Sequence, residues 1–413
     1  MQVVFHGIAA GGDGVGRDAQ GRTVFAPFAA PDDVAQVEIV EEHRSFARGK
    51  IIHLETASPR RTVPPCPYYL PEEETLSCGG CQIQHLAYTA QLEVKTQIVR
   101  DALTRIGGFD EPPVEECIAS PQAFAYRNKA QFFVGGNGAI GFHARRTHHV
   151  VDIETCPLMQ APINEALHEV RKALADEALR AQVKSFRVRV DSLGQLALEM
   201  EWKEQTSVDK KAFFTSMRQN LPALIDPHRQ KLEEHVEELK FQAGAFDFFQ
   251  INSFLTAQLV ETALELADLK KGMRVLDLFC GAGLFGVFMA QAKTRVDGVD
   301  MRESLGTNAR LNGLQAQSAK GNAAQFLWRA VKNHEKYTVV LLDPPREGAA
   351  ACLEPLIQLA PPRLVYVSCD PATLARDAKF LRQHGYQLKR AVPLDMFPQT
   401  AHVETVALLE LVA

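Results

Sequence analysis

The sequence has no membrane-crossing run: nowhere do about 20 consecutive apolar residues occur. Its first residues, Met1-Gln-Val-Val-Phe-His6, lack a basic segment followed by an apolar one. That argues against a secretory leader and leads us to expect a cytoplasmic chain with no membrane partner. Strong net charge is missing too. Against 45 Lys and Arg stand 50 Asp and Glu, leaving −5, so any surface for a polyanion must be a local patch. Internal repeats and low-complexity tracts are absent, which excludes solenoids and arrays. Cysteine is not scarce. Eight cysteines in a chain expected in a reducing compartment point to metal binding or catalysis, not to disulfides. At 413 residues, 46% apolar and 23% charged, the chain reads as globular and too long for one ordinary core, so two or three domains are expected.

Residues 1–58 carry short β-like runs at 2–5, 23–26, 34–40 and 49–54, with turn signals in Gly11-Gly-Asp-Gly14-Val-Gly16 and Asp18-Ala-Gln-Gly21. We expect a small β-barrel. The glycine cluster reads as a hairpin, because no helical pattern follows it as a phosphate loop would require. Ala57-Ser-Pro-Arg-Arg-Thr-Val-Pro-Pro65 reads as a proline-stiffened linker. A cysteine-rich loop and a helix over 91–106, stopped by Gly107-Gly108, come next. Residues 59–240 read as a mixed α/β region with strands at 184–190 and 196–202. From 241 to 413 a pattern of strand, glycine turn and helix repeats, the mark of a doubly wound α/β domain.

In that last region Arg274-Val-Leu-Asp277-Leu-Phe279-Cys-Gly281-Ala-Gly283 is a strand entering a glycine turn, with a helix expected over 284–292. Glycines there let a ligand approach the backbone at a helix N-terminus. The next strand, 295–299, ends in Asp300, where an acid can accept hydrogen bonds from both hydroxyls of a ribose. The order Gly-x-Gly-x-x-Gly of dinucleotide sites is missing, and Asp277 would repel a pyrophosphate. An acid at that strand tip suits the cationic amino acid end of S-adenosylmethionine instead. Val339-Val-Leu-Leu-Asp343-Pro-Pro-Arg346 is another strand ending at the ligand-binding edge. Enzymes that methylate base amines carry Asn-Pro-Pro-aromatic at this point, so Asp343 and Arg346 direct attention to a carbon target. Cys369 follows an apolar strand at 364–367 and precedes a helix start at Pro371, so its thiol is expected at the same edge. Carbon 5 of a pyrimidine becomes nucleophilic when a thiolate adds to C6, and a base must later remove the C5 proton. Cys369 can supply the thiolate. Glu404, ahead of a last apolar strand, can supply the base, with His402 as an alternative or a supporting group.

Phe248-Phe-Gln250-Ile-Asn252, Asp277-Leu-Phe-Cys-Gly-Ala-Gly283, Asp343-Pro-Pro-Arg346, Val367-Ser-Cys369-Asp-Pro-Ala-Thr-Leu-Ala-Arg-Asp377 and Met396-Phe-Pro-Gln-Thr-Ala-His-Val-Glu404 occur in this order. Together they resemble the RNA 5-methyluridine methyltransferase family. The resemblance implies that Cys369 is the nucleophile and Glu404 the base. It also implies that Gln250, Phe279, Asp300, Asn322 and Asp343 hold S-adenosylmethionine or the target uracil. Two positions depart from the family pattern: Asp370 stands where asparagine is usual, and Leu284 where some members carry a cofactor-contacting asparagine.

Cys66, the pair Cys78-Gly-Gly-Cys81, and Cys156 form a four-thiolate set that by spacing suits zinc or an iron–sulfur cluster equally. The same set resembles the ribosomal-RNA branch of the family, which implies a [4Fe-4S] cluster. The stretch from Tyr68 to Ser77 is longer than that branch usually shows. Cys117, Cys280 and Cys352 have no partners in the pattern and read as structural.

Between Ser120 and Val151 there is no acid, while Arg127, Lys129, Arg145 and Arg146 alternate with Phe124, Tyr126, Phe132, Phe133 and Phe142. Cations with aromatics suit single-stranded RNA. The leading barrel is similar to a TRAM domain, which implies RNA binding. The resemblance as a whole implies a monomer of three parts: a TRAM-like barrel at 1–58, a central α/β domain with the cluster and an RNA-contact surface at 59–240, and a Rossmann-like methyltransferase domain at 241–413. Its implied activity is methyl transfer to C5 of a uridine in 23S ribosomal RNA. The T-loop uridine of tRNA is the first alternative. Cytosine-C5 methylation is disfavoured because Asp343-Pro-Pro-Arg346 holds no cysteine, and an RNA-binding assembly role is disfavoured by Cys369 and Glu404.

Overall fold

The computed structural model describes residues 1–70, 76–204, 206–302 and 304–412, so part of the long gap between Cys66 and Cys78 lies outside the described residues. Strands β1 (Gln2–Ile8), β2 (Gly14–Asp18), β3 (Thr23–Ala26), β4 (Val34–Glu42) and β5 (Phe46–Thr56) close into a barrel in the order β1-β2-β3-β5-β4. Alternation along the strands points Val3, Phe5, Val24, Ala26, Ala35 and Val37 inward to a small core of their own. The glycine cluster forms the hairpin between β1 and β2 that the sequence suggested. Gly12, at φ 82°, makes the turn, but Gly14 and Gly16 belong to β2. They are glycine because the barrel is narrow: a Cβ would meet Ala29 Cβ at 2.4 Å and Val3 Cγ1 at 2.5 Å respectively. The proline-rich stretch after the barrel is also more than a linker. Arg61 reaches back to both oxygens of buried Asp33, at 2.9 and 2.6 Å.

Helix α1 (Tyr88–Arg105) comes next, then β6 (Lys129–Val134), β7 (Ile140–His143), β8 (Val150–Asp152), α2 (Ala161–Ala173), α3 (Glu177–Arg180), β9 (Val183–Val190), β10 (Leu196–Trp202) and α4 (Lys210–Asn220). The five strands form an antiparallel sheet ordered β10-β9-β6-β7-β8, packed on α2 and α4 through Phe132, Phe186, Leu167 and Met217. Helix α1 does not join them. Its face of Ala90, Val94, Ile98, Val99 and Leu103 enters the core of the C-terminal sheet instead.

A hairpin of β11 (Leu232–Val236) and β12 (Leu239–Ala243) leads into α5 (Ser253–Ala267). There follow β13 (Arg274–Leu278), α6 (Leu284–Gln291), β14 (Arg295–Asp300), α7 (Leu305–Leu311), β15 (Gln317–Lys320), α8 (Ala323–Lys332), β16 (Val339–Leu342), α9 (Ala350–Leu359), β17 (Arg363–Ser368), α10 (Pro371–Gln383), β18 (Tyr386–Leu394) and β19 (Glu404–Leu411). The seven-stranded sheet is ordered β15-β14-β13-β16-β17-β19-β18. Strands β13 to β17 run parallel and β19 runs against its neighbours. The order reverses on either side of β13, and the crevice beyond the strand ends at such a reversal is where α/β sheets bind ligands. Because β19 is antiparallel, its first residues lie beside the last of β17: Thr405 pairs with Ser368. Two positions far apart in the chain, Cys369 and Glu404, therefore reach the same edge. Among the described residues no helix is long and apolar enough to cross a membrane.

Candidate active site

At the C-terminal edge of the parallel strands lies a cavity of about 660 Å³ lined by Gln250, Phe279, Asp300, Asp343, Cys369 and Glu404, with Arg346 beside them. Asp300 ends β14, and its Oδ1 accepts from Arg302 N at 3.0 Å. Asp343 follows β16, its amide donating to Leu278 O at 3.3 Å. Phe279, just after β13, adopts φ 62°, a left-handed conformation that non-glycine residues rarely hold away from functional turns. The carbonyl of Gln250 is held by the side-chain amide of Asn128 at 3.0 Å. After Cys369, Asp370 caps α10, accepting from Ala372 N at 2.9 Å and Thr373 N at 3.0 Å. The departure at Asp370 thus keeps a capping side chain.

Three expected residues, Asn322, Asp277 and His402, do not line this cavity. Asn322 sits after β15, and its side chain caps α8, accepting from Gln325 N at 3.1 Å. Asp277 is wholly buried within β13, and neither carboxylate oxygen has a hydrogen-bond partner. Gly286 of α6 packs against it: a Cβ there would approach Asp277 Oδ2 at 2.8 Å. Burial first, and then the Asp343 charge, push Asp277 up to about 8.

Burial dominates the electrostatics of the cavity. It pushes Asp343 up to about 7. It pushes Glu404 well above the carboxylate range, aided by the charge of Asp343 and opposed by Arg346. The Cys369 thiol is pushed up to about 11 by burial and then by Glu404, while Arg346 pulls it down. Arg346 therefore favours the ionised form of both the thiol and the acid. His402 does not line the cavity. Burial and nearby cations lower it to about 4, so it is neutral at physiological pH and donates no charge to the site.

The mouth shows what the sequence left unnoticed. Phe248 is 64% exposed, an unusual place for so large an apolar ring, and Lys129 Nζ stands 5.8 Å from its centroid. Both line the cavity with Arg302 and Phe397. Phe248 belongs to a recognised motif, but nothing local distinguishes it from buried Phe249 next to it.

The cysteines of the four-membered set converge as well. Cys66, Cys78, Cys81 and Cys156 ring a second cavity of about 240 Å³, and Arg127 borders it. No group of three or more His, Cys, Asp or Glu side chains among the described residues is set to hold a single metal ion. The thiols stand round a void that they share. Cys117, Cys280 and Cys352 are buried elsewhere, as expected of structural cysteines.

The acid-free stretch is largely spent inside the protein. Tyr126 and Phe132 are fully buried, Arg127 faces the cysteine cavity, and Arg145 and Arg146 pair with Asp13 of the barrel. Lys129 at the cavity mouth and exposed Arg146, His148 and His149 remain outward.

Comparison with known proteins places this geometry. A family model described as TRAM domain matches residues 1–52, and one described as tRNA (Uracil-5-)-methyltransferase matches residues 325–412. An uncharacterized RNA methyltransferase of Clostridium tetani is 31% identical over 442 residues, spanning 98% of this chain and 94% of its own. One from Staphylococcus aureus is 34% identical over 431 residues, spanning 94% and 93%. The crystal structure of Pyrococcus abyssi tRNA (uracil-54, C5)-methyltransferase in complex with S-adenosyl-L-homocysteine is similar over 99% of this chain and all of its own, with a TM-score of 0.72 and 26% identity. The chain belongs to the family of S-adenosylmethionine-dependent RNA uracil-5-methyltransferases and carries an N-terminal TRAM domain.

Proposed function

We propose that the protein methylates C5 of a uridine in 23S ribosomal RNA through a covalent adduct between Cys369 and C6 of the uracil. One observation carries this reading: a thiol and a buried carboxyl, 35 positions apart in sequence, line one cavity with Asp343 and Arg346. When bound, S-adenosylmethionine supplies a sulfonium methyl group that an activated carbon can attack. Cys369 loses its thiol proton to solvent, and the thiolate, which Arg346 favours, bonds to C6 and makes C5 nucleophilic. The C5–methyl bond forms as the methyl–sulfur bond of the donor breaks. Glu404, in the carboxylate form that Arg346 favours, then takes the C5 proton, the C6–sulfur bond breaks, and the thiolate leaves. Phe279, Asp300 and Gln250 are assigned to holding the donor and the base. The exposed ring of Phe248 suits stacking on the bases flanking a uridine flipped out of its own stack.

Two variants test the mechanism. Cys369→Ala should bind RNA and transfer no methyl; measurable turnover overturns the nucleophile assignment. Glu404→Gln should slow release of methylated RNA by about 10²–10⁴-fold and accumulate a protein–RNA adduct on a denaturing gel. Absence of the adduct puts the base elsewhere.

The four thiols around their cavity fit the [4Fe-4S] cluster that the ribosomal-RNA branch implies. Cys66, Cys78, Cys81 and Cys156 would hold it, with Arg127 offsetting the negative charge of four thiolates. A cluster at this position would add a covalently anchored brace to a loop region. Iron and sulfide analysis of the purified protein tests this, and stoichiometric zinc would replace the assignment.

The full-length match to an archaeal tRNA methyltransferase supports a second target, the tRNA T-loop. Mapping 5-methyluridine in both RNAs from a deletion strain separates the two.

A further inference from the structure

The turn 398–401, which leads into Glu404, is gripped by the loop that carries the cysteine pair. Gln82 and Ile83, the two residues after Cys81, both donate their amides to Gln399 O at 3.2 Å. The Gln82 side chain is shared between the two sites. Its Nε2 donates to Gly79 O at 2.9 Å, between the paired cysteines, and its Oε1 accepts from Ala401 N at 3.4 Å. From the other side of the cysteine cavity, Arg127 donates to the Tyr126 hydroxyl at 3.3 Å, and that hydroxyl donates to Pro398 O at 3.0 Å. Gln399, buried at the centre of the grip, holds φ 70°, a conformation that costs a non-glycine residue about 1–3 kcal/mol and persists only where its surroundings impose it.

We infer that occupation of the cysteine cavity positions Glu404: a cluster bound by Cys78 and Cys81 fixes their loop, and the loop fixes the turn that places the base. Gln82 and Tyr126 are positioning residues in this scheme. Neither lines the methyl-transfer cavity, so neither touches the reacting atoms. The inference rests on the proposed assignments of the cluster and of Glu404, and it predicts a specific defect. Loss of the cluster should impair proton removal from C5 more than methyl transfer, leaving the same covalent adduct that Glu404→Gln leaves.

The experiment is hydrogen exchange of the whole protein, as purified and after its iron is oxidised and chelated. Peptides covering 396–404 should exchange at least about fivefold faster once stripped, the equivalent of losing one backbone hydrogen bond. Strands of the barrel should not change, and reconstitution with ferrous iron and sulfide should restore protection. Tyr126→Phe, which keeps the buried ring, should raise exchange at 398–401 with the cluster still bound and should trap adduct in RNA assays. Unchanged exchange on stripping overturns the inference, as does a purified protein without iron. If exchange responds but Glu404→Gln traps no adduct, the coupling stands and the base assignment falls.

Discussion

The thiol of Cys369 is the wrong species at rest. A nucleophile pushed up to about 11 is protonated at neutral pH, and its neighbours pull in opposite directions. The sign of each pull can be measured. Removing the charge of Glu404, which raises the thiol, should lower its pKa in Glu404→Gln. Removing Arg346, which lowers the thiol, should raise it in Arg346→Gln. The rate of iodoacetamide alkylation against pH reads both, and parallel shifts in the two variants would sink this account. The same residues show what the sequence exposes. Cys369, Asp343 and Asp300 were legible because a strand tip is written locally, as an apolar run followed by a turn. Asp277 was not, since its burial depends on Gly286 closing over it. Arg127 was misread as outward for the same reason, because only the fold shows the cavity it faces.

Among the elements, α1 carries the most consequence for the site. Lys95 and Asp395 form an ion pair with both side chains fully buried, and Lys95 Nζ also donates to Phe397 O at 3.0 Å. Gln91 Oε1 accepts from Gln399 N at 2.9 Å and Gln91 Nε2 donates to Gln399 Oε1 at 2.9 Å. Removing one partner leaves a buried charge, so Lys95→Met should cost about 3–5 kcal/mol in urea unfolding, and Lys95→Met with Asp395→Leu should recover most of it. A single variant as stable as the parent would show that water reaches the pair. In the glycine turn, Gly283 opens α6 at φ 84°, and a Cβ there would meet Leu305 Cα at 2.7 Å. Gly283→Ala should therefore cost about 1–3 kcal/mol from strain and crowding and weaken S-adenosylhomocysteine binding, read by calorimetry. The helix α1 was legible from its periodicity and its glycine stop. Its destination was not, because an amphipathic face does not say which core it will enter.

For the whole molecule, Asp13 is the fastening of the barrel. Its carboxylate takes Arg145 at 2.7 Å, Arg48 at 3.1 Å, and Arg146. Asp13→Ala would leave three guanidiniums facing one another. We expect limited trypsin digestion to separate the barrel at residues 57–65 in that variant, with S-adenosylhomocysteine affinity retained; a digestion pattern like the parent's would show that Arg61 and Asp33 suffice. The barrel itself was legible in alternation and turns, whereas the two glycines of β2 were not, since only the closed barrel shows how little room it leaves.

The placement of α1 also sets an order for folding. Lys95 and Asp395 lie 300 positions apart, and Gln91 and Gln399 lie 308 apart. Contacts of such sequence separation form late, after the closure of a very long loop has been compensated by other contacts. A chain cut near residue 240 would strand α1 on the half that lacks the sheet it completes, leaving an apolar stripe exposed on one fragment and an open core on the other. Circular permutants that open elsewhere should refold faster than the two halves can find each other.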